Sequence, residues 1–90
     1  MSDVIVIPPV DIDPSTAPLL GAALLEPPDD AHIVVDFSDV EFCDSTGLRE
    51  LLIAAQRQTN GGGSLRVAQP NESVRRIFEV TGLVTHLLAD

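Results

Sequence analysis

The residues in this chain best suited to chemistry are an acid followed by two hydroxyls and a glycine, Asp44-Ser45-Thr46-Gly47, leading into Leu48. They come directly after the apolar run His32-Ile33-Val34-Val35-Asp36-Phe37 and its short connection. They open a segment whose apolar residues Leu48, Leu51, Leu52 and Ala55 recur at helical spacing. A small hydroxyl is thereby placed at the positive end of a helix, where unpaired backbone N–H groups and the helix dipole favour negative charge. A phosphate on Ser45 is comfortable there, so the chemistry that fits is acceptance of a phosphoryl group on a rigid scaffold. The same residue types also fill a plainer role, with Ser45 or Asp44 simply capping the helix. The two roles are compatible, and these five residues alone leave both open.

Other reactive residues point elsewhere. His32 and His86 stand in strand-like contexts with no second ligand at useful spacing, so no metal site is expected. Gly61-Gly62-Gly63 follows a helix, enters a strand and lacks a Lys-Ser/Thr pair, which excludes a phosphate-binding loop. No grouping of Ser, His and Asp suggests a hydrolase. The expectation is a non-enzyme that uses no cofactor. Cys43 is the single cysteine, which rules out an internal disulfide and a thiolate zinc cluster; beside Phe42 it reads as a small buried hydrophobe.

Charge narrows the partners. Fourteen acids face five Arg and no Lys, giving a formal net charge of −9. Such a surface is repelled by nucleic acid and by anionic membranes. The acidity either serves solubility or meets a basic patch on a protein partner. The N-terminus lacks the basic-then-apolar layout of a signal peptide, and no apolar run approaches the ~20 residues that cross a bilayer, so no membrane insertion and a cytoplasmic location are expected. A hydrophobic content of 44% separates the chain from disordered sequences. Ninety residues make one domain, 1–90, with a core that must be aliphatic because only three Phe and no Trp or Tyr are present.

The elements that position Ser45 follow from pattern and punctuation. Val4-Ile5-Val6-Ile7 is a β-branched run stopped by Pro8-Pro9, and Val10 to Asp13 extends it briefly after a kink. A cap at Ser15 or Thr16 puts Pro18 in the first turn of a helix, where its missing N–H is unused; Leu19, Leu20, Ala23 and Leu24 then share one face, and Glu26-Pro27-Pro28 ends it. His32 to Phe37 reads as a central parallel strand covered on both faces, with Ser38 to Cys43 a connecting loop. The helix opening at Asp44 stops at Asn60-Gly61-Gly62-Gly63, and Ser64 to Ala68 alternates as a strand. Asn71 caps a third helix with Val74, Ile77 and Phe78 inward and Arg75 and Arg76 outward. Gly82 ends it, and Leu83 to Leu88 forms a short strand or turn. This alternation predicts an α/β domain, a small, mainly parallel sheet with crossover helices.

Three stretches in this order resemble the STAS domain family, which includes the bacterial anti-sigma factor antagonists. Val35 to Leu48 is similar to the family's strand, loop and Asp-Ser-Ser/Thr-Gly motif. Val10 to Pro18 is similar to a Gly-Glu-Leu-Asp turn followed by Thr-Ala-Pro, and Val74 to Leu83 to the last helix and its Thr-Gly-Leu end. The resemblance implies a single STAS-like domain and a partner-switching role in transcription regulation. Unphosphorylated antagonist binds an anti-sigma factor that doubles as a serine protein kinase; phosphorylation releases it, and a phosphatase resets it. It further implies Ser45 as the acceptor with Thr46 the second candidate, and a partner surface made of Asp13, Asp44, Ser45, Thr46, Gly47 and Leu48. Two departures stand out. No sequence corresponds to the strand that most members place before Val4, so the N-terminal hairpin is expected to be missing, which either favours self-association as a homodimer through the bared sheet edge or leaves stability low. Val10 and Asp11 replace Gly and Glu in the turn near the acceptor loop. The runner-up function is an unphosphorylated STAS scaffold subunit of a lipid-transport ABC system.

Overall fold

The computed structural model describes residues 3–82 and 85–88. In chain order the elements are β1 (Val4–Val6), β2 (Asp11–Ile12), α1 (Ala17–Leu25), β3 (His32–Asp36), β4 (Phe42–Cys43), α2 (Ser45–Asn60), β5 (Ser64–Ala68), α3 (Glu72–Thr81) and a 3-10 turn (Thr85–Leu87). Strands β1, β3 and β5 form one parallel sheet in the order β1-β3-β5, in register Val4–Ile33–Leu65. Strands β2 and β4 pair separately, also in parallel.

The strand order explains the layering. It advances in one direction, and right-handed crossovers then carry the helices to one side of the sheet. Val6, Ile33, Val35, Leu65 and Val67 point to that side and join Leu20, Leu24, Leu51, Ala54, Val74 and Phe78 in one aliphatic core. Phe78 of α3 meets Phe37, just past β3, edge to face with ring centroids 6.0 Å apart. The alternate residues look outward: Ile5 and Arg66 are exposed and Val34 is half-buried. The expectation that β3 is covered on both faces is therefore wrong. Its open face keeps Val34 because a β-branched residue suits a pleated strand whether or not a helix covers it.

Other corrections are local. Val10 to Asp13 does not prolong β1, because β2 turns away to pair with β4, and β4 occupies the end of the segment expected to be loop. Thr16 stands at the N-cap of α1 as expected and Pro18 in the first turn, yet the Thr16 side chain makes no capping bond. The Asp13 carboxylate instead organises the turn that leads into the helix, accepting from the N–H groups of Ser15 (2.9 Å) and Thr16 (3.1 Å). Leu19 does not share the buried face with Leu20 and Leu24 but is exposed. Asn71 caps α3 as expected, accepting from Val74 N–H at 2.8 Å, and Gly82 closes it in the left-handed conformation at φ 69°. Arg76 is exposed, whereas Arg75 is half-buried. Beyond α3, Leu83 and Val84 lie outside the described residues; Thr85 to Leu87 is a turn and Leu88 makes a parallel bridge to Val67.

Gln58 is the buried polar group that ties the far end of α2 to the chain before β3. Its amide nitrogen donates to the carbonyls of Pro28 (2.9 Å) and Ala31 (3.1 Å), while Oε1 has no partner. Each carbonyl also accepts a backbone N–H, Pro28 O from Ala31 (3.0 Å) and Ala31 O from Ser64 (3.2 Å), so a similar-sized apolar chain removes two additional bonds and relieves one unpaired oxygen. Gln58→Met should therefore lower unfolding free energy by about 1–2 kcal/mol in urea titrations, and an unchanged midpoint would show that the two bonds contribute nothing net.

Candidate functional site

The site is assembled where β2 and β4 lie side by side. Asp11 pairs with Phe42 and Ile12 with Cys43, and Asp44 N–H donates to Ile12 O at 3.0 Å. The residues that leave these strands, Asp13 and Asp44, are thus brought together from positions thirty-one apart in sequence. Each carboxylate organises a turn. Asp13 Oδ1 accepts from Ser15 Oγ at 2.6 Å as well as from the two N–H groups, and Thr16 Oγ1 donates to Asp11 O at 2.7 Å while accepting from Asp13 N–H at 2.9 Å. The Ser15 hydroxyl, then the Ser15 and Thr16 N–H groups, hold the Asp13 carboxyl below its usual range. By linkage this turn is held best above the ordinary carboxylate pKa and loosens as pH falls.

Asp44 is the N-cap of α2. Its carboxylate accepts from Thr46 N–H at 2.9 Å, and its carbonyl from Gly47 N–H (3.1 Å) and Leu48 N–H (3.2 Å). The Thr46 hydroxyl also donates to Asp44 Oδ1, and Thr46 is half-buried. Ser45, between them, is exposed, and its hydroxyl has no partner among the described residues. The two neighbouring hydroxyls are therefore in different states, one engaged in the cap and one free.

Gly47 and Leu48 face inward. Leu48 is buried in the core. A Cβ at Gly47 would stand 2.5 Å from Ile12 Cγ2 and 2.8 Å from Cys43 Sγ, so only glycine lets the helix start seat on the β2–β4 pair. These two residues position the exposed ones rather than presenting side chains to solvent. Cys43 is a buried hydrophobe as expected; burial first and the Asp44 charge second push its thiol from 9.0 up to about 12.

Two apolar residues at this end are exposed: Val10 (48%), already noted as a departure in the turn near the acceptor loop, and Phe42 (47%), which the sequence reading did not place at the site. The signal was present only as alternation within the strands, exposed Asp11 before buried Ile12 and exposed Phe42 before buried Cys43, in strands too short to recognise; Val10 precedes β2 and follows no such period.

The family model described as "Mlab, STAS domain" matches residues 10–89, most of the chain. The chain belongs to the STAS domain family. One curated relative of this STAS domain is the anti-sigma-B factor antagonist of Bacillus subtilis (strain 168), 32% identical over 74 residues that make up 81% of this chain and 68% of that protein. Among the described residues no helix is long and apolar enough to cross a membrane, and no group of three or more His, Cys, Asp or Glu is placed to hold a metal ion.

The tight seat of the STAS helix gives two measurable outcomes. Gly47→Ala should cost about 1–3 kcal/mol of stability by forcing α2 off Ile12 and Cys43; an unchanged urea midpoint would mean the contact gives way freely. The Cys43 thiol should resist iodoacetamide at pH 8 until denaturant is added. Because its pKa is raised on folding, its contribution is intact below 9.0 and is lost as pH climbs toward about 12, so stability should fall across that window in the wild type and less in Cys43→Ala.

Proposed function

We propose that this STAS domain is an anti-sigma factor antagonist switched by phosphorylation at Ser45. In this reading the unphosphorylated protein binds an anti-sigma factor that is also a serine kinase. Transfer of a phosphoryl group to Ser45 releases it, and a phosphatase restores the binding form. The protein acts by reversible association and catalyses nothing. The observation that carries the choice of residue is the contrast between hydroxyls: Ser45 is open and unpartnered, whereas Thr46 is held by Asp44. Ser45 is thus the acceptor and Thr46 the second candidate. The family relationship to a protein named as an anti-sigma-B factor antagonist supports the partner class.

The physics locates the switch at the interface. Phosphate adds about −1.5 to −2 charges near neutral pH. On the isolated domain this falls at the N-terminus of α2, a setting that favours an anion by about 0.3–1 kcal/mol. Arg49, exposed one helical turn further on, forms no ion pair among the described residues and balances part of the charge. In a closed complex the same group is desolvated beside Asp44 and Asp13. A tenfold to hundredfold weakening needs only about 1.4–2.8 kcal/mol, well within that penalty. The partner surface consists of the open rim, Asp13, Asp44, Ser45 and Thr46 with Val10 and Phe42, seated by Gly47 and Leu48.

The second reading, a permanently bound STAS scaffold on the ATPase subunit of a lipid-transport ABC system, draws support from the large apolar exposure on α1. One experiment separates the two. Incubation with ATP and the neighbouring-gene kinase should add a single phosphate by intact mass, absent in Ser45→Ala and retained in Thr46→Val. Ser45→Asp should weaken binding to that kinase ten- to a hundredfold while moving the melting temperature by less than about 5 °C. No mass gain, together with stoichiometric ATP-insensitive association with a transporter ATPase, selects the scaffold.

A further inference from the structure

Helix α1 lies at the surface without a single polar side chain. From Ala17 to Leu25 every residue is Ala, Pro, Leu or Gly, a composition that belongs to a helix covered on all sides. Here only one side is covered. Leu20 and Leu24 enter the core, while Leu19 and Leu25 are each 63% exposed. The adjoining face of α2 continues the patch with Ile53, 49% exposed. Between the helices runs an open groove of about 480 Å³ walled by Pro18, Ala22, Leu25, Glu50 and Ile53 among others. It follows α1 from Pro18 to Leu25, roughly 10 Å, room for about two turns of a further helix.

Glu50 indicates what fits. Its carboxylate lies against α1 at Gly21, where a Cβ would collide with Oε1, and the residue is half-buried. Among the described residues it has no hydrogen bond and no ion pair. The groove's own cation, Arg57, is committed elsewhere: it donates to Leu24 O at 2.7 Å, closing the end of α1, and stands 3.9 Å from Asp29. Glu26, Asp29 and Asp30 extend the same sign of charge beyond α1. An apolar trough with an unpaired acid in its wall is complementary to a cation supplied from outside.

We propose that the α1–α2 groove receives an amphipathic helix of a partner protein, with apolar residues at i, i+3 or i+4 and i+7 packed on Ala22, Leu25 and Ile53 and a Lys or Arg meeting Glu50. A second copy of this chain fits poorly, since it brings another Glu50 and a net charge of −9. This docking site is separate from Ser45 and does not rest on its phosphorylation.

The test uses the full chain and a synthetic fourteen-residue peptide with Leu at those helical spacings and Lys on its flanks. Controls are the same composition scrambled and the same sequence with Glu for Lys. NMR titration should give shifts centred on Ala22, Leu25, Glu50 and Ile53, with affinity at least tenfold above both controls. Leu25→Glu and Glu50→Gln, both at residues outside the core, should each reduce it at least fivefold with the spectrum otherwise native. Ser45→Asp should leave it unchanged, so that failure of this site and failure of the phosphorylation reading are told apart. Equal binding of the scrambled peptide, shifts elsewhere, concentration-dependent dimerisation through this face by sedimentation, or binding to lipid vesicles abolished by Leu25→Glu would each overturn the proposal.

Discussion

Two residues of β2 laid against two of β4 govern where the exposed groups of the candidate site stand. The pairing of Ile12 with Cys43 sets the Asp13 turn beside the start of α2, and the bond from Asp44 N–H to Ile12 O fixes the height at which that helix begins. Gly47 then allows the first helical turn to press on the same Ile12 and Cys43 side chains. Two short strands in isolation are too small to be stable. They persist because Ile12 and Cys43 are fully buried and because turns capped by Asp13 and Asp44 take up the backbone groups at their ends. The exposed hydroxyl of Ser45 therefore sits on a surface whose geometry is determined by buried contacts on three elements.

That arrangement separates stability from signalling. Phe37, Phe78 and the aliphatic core hold the helices on one face of the β1-β3-β5 sheet, remote in kind from any charge at Ser45. The groups around Ser45 are carboxylates engaged in caps and turns, each already satisfied by N–H donors. Adding negative charge to this rim disturbs little within the domain, since α2 offers its positive end and Arg49 stands one turn away. On the proposed reading, the energetic consequence falls on whatever covers the rim.

Much of this was legible in the sequence, for identifiable reasons. The termini of α2 and α3 are marked by Asp44, Asn71, the Gly61 to Gly63 run and Gly82, residues whose side chains or lack of one suit those positions. Strand β5 was readable from its alternation about Arg66. Strands β2 and β4 were not, because two residues cannot display a period, and their pairing joins segments some thirty residues apart. The single-sided sheet was hidden by composition: Val34 and Ile5 look like core residues, and only the strand order reveals that no described element crosses over their face. At the site, Asp44-Ser45-Thr46 announced a cap and a hydroxyl acceptor, yet no sequence pattern distinguishes a hydroxyl bound to its neighbour from a free one. Geometry alone separates Thr46 from Ser45.

The two proposed contact regions have complementary energetics. Covering an exposed leucine or isoleucine is worth about 1.5–3 kcal/mol, so Leu25 and Ile53 offer several kcal/mol that do not depend on phosphorylation. On the proposed reading, a phosphate at Ser45 would supply a penalty of about 1.4–2.8 kcal/mol for a tenfold to hundredfold change. A complex held by the rim alone would bind weakly in both states, and one held by the groove alone would not switch. On the two proposals together, the apolar groove would set the baseline affinity and the phosphate would move it across the partner's working concentration. The groove cannot be made much stickier without defeating the switch, because a baseline too tight leaves the phosphorylated form bound as well. An acid within the apolar wall moderates it: Glu50 costs desolvation against partners lacking a matching cation and so restricts which helix can exploit the leucines.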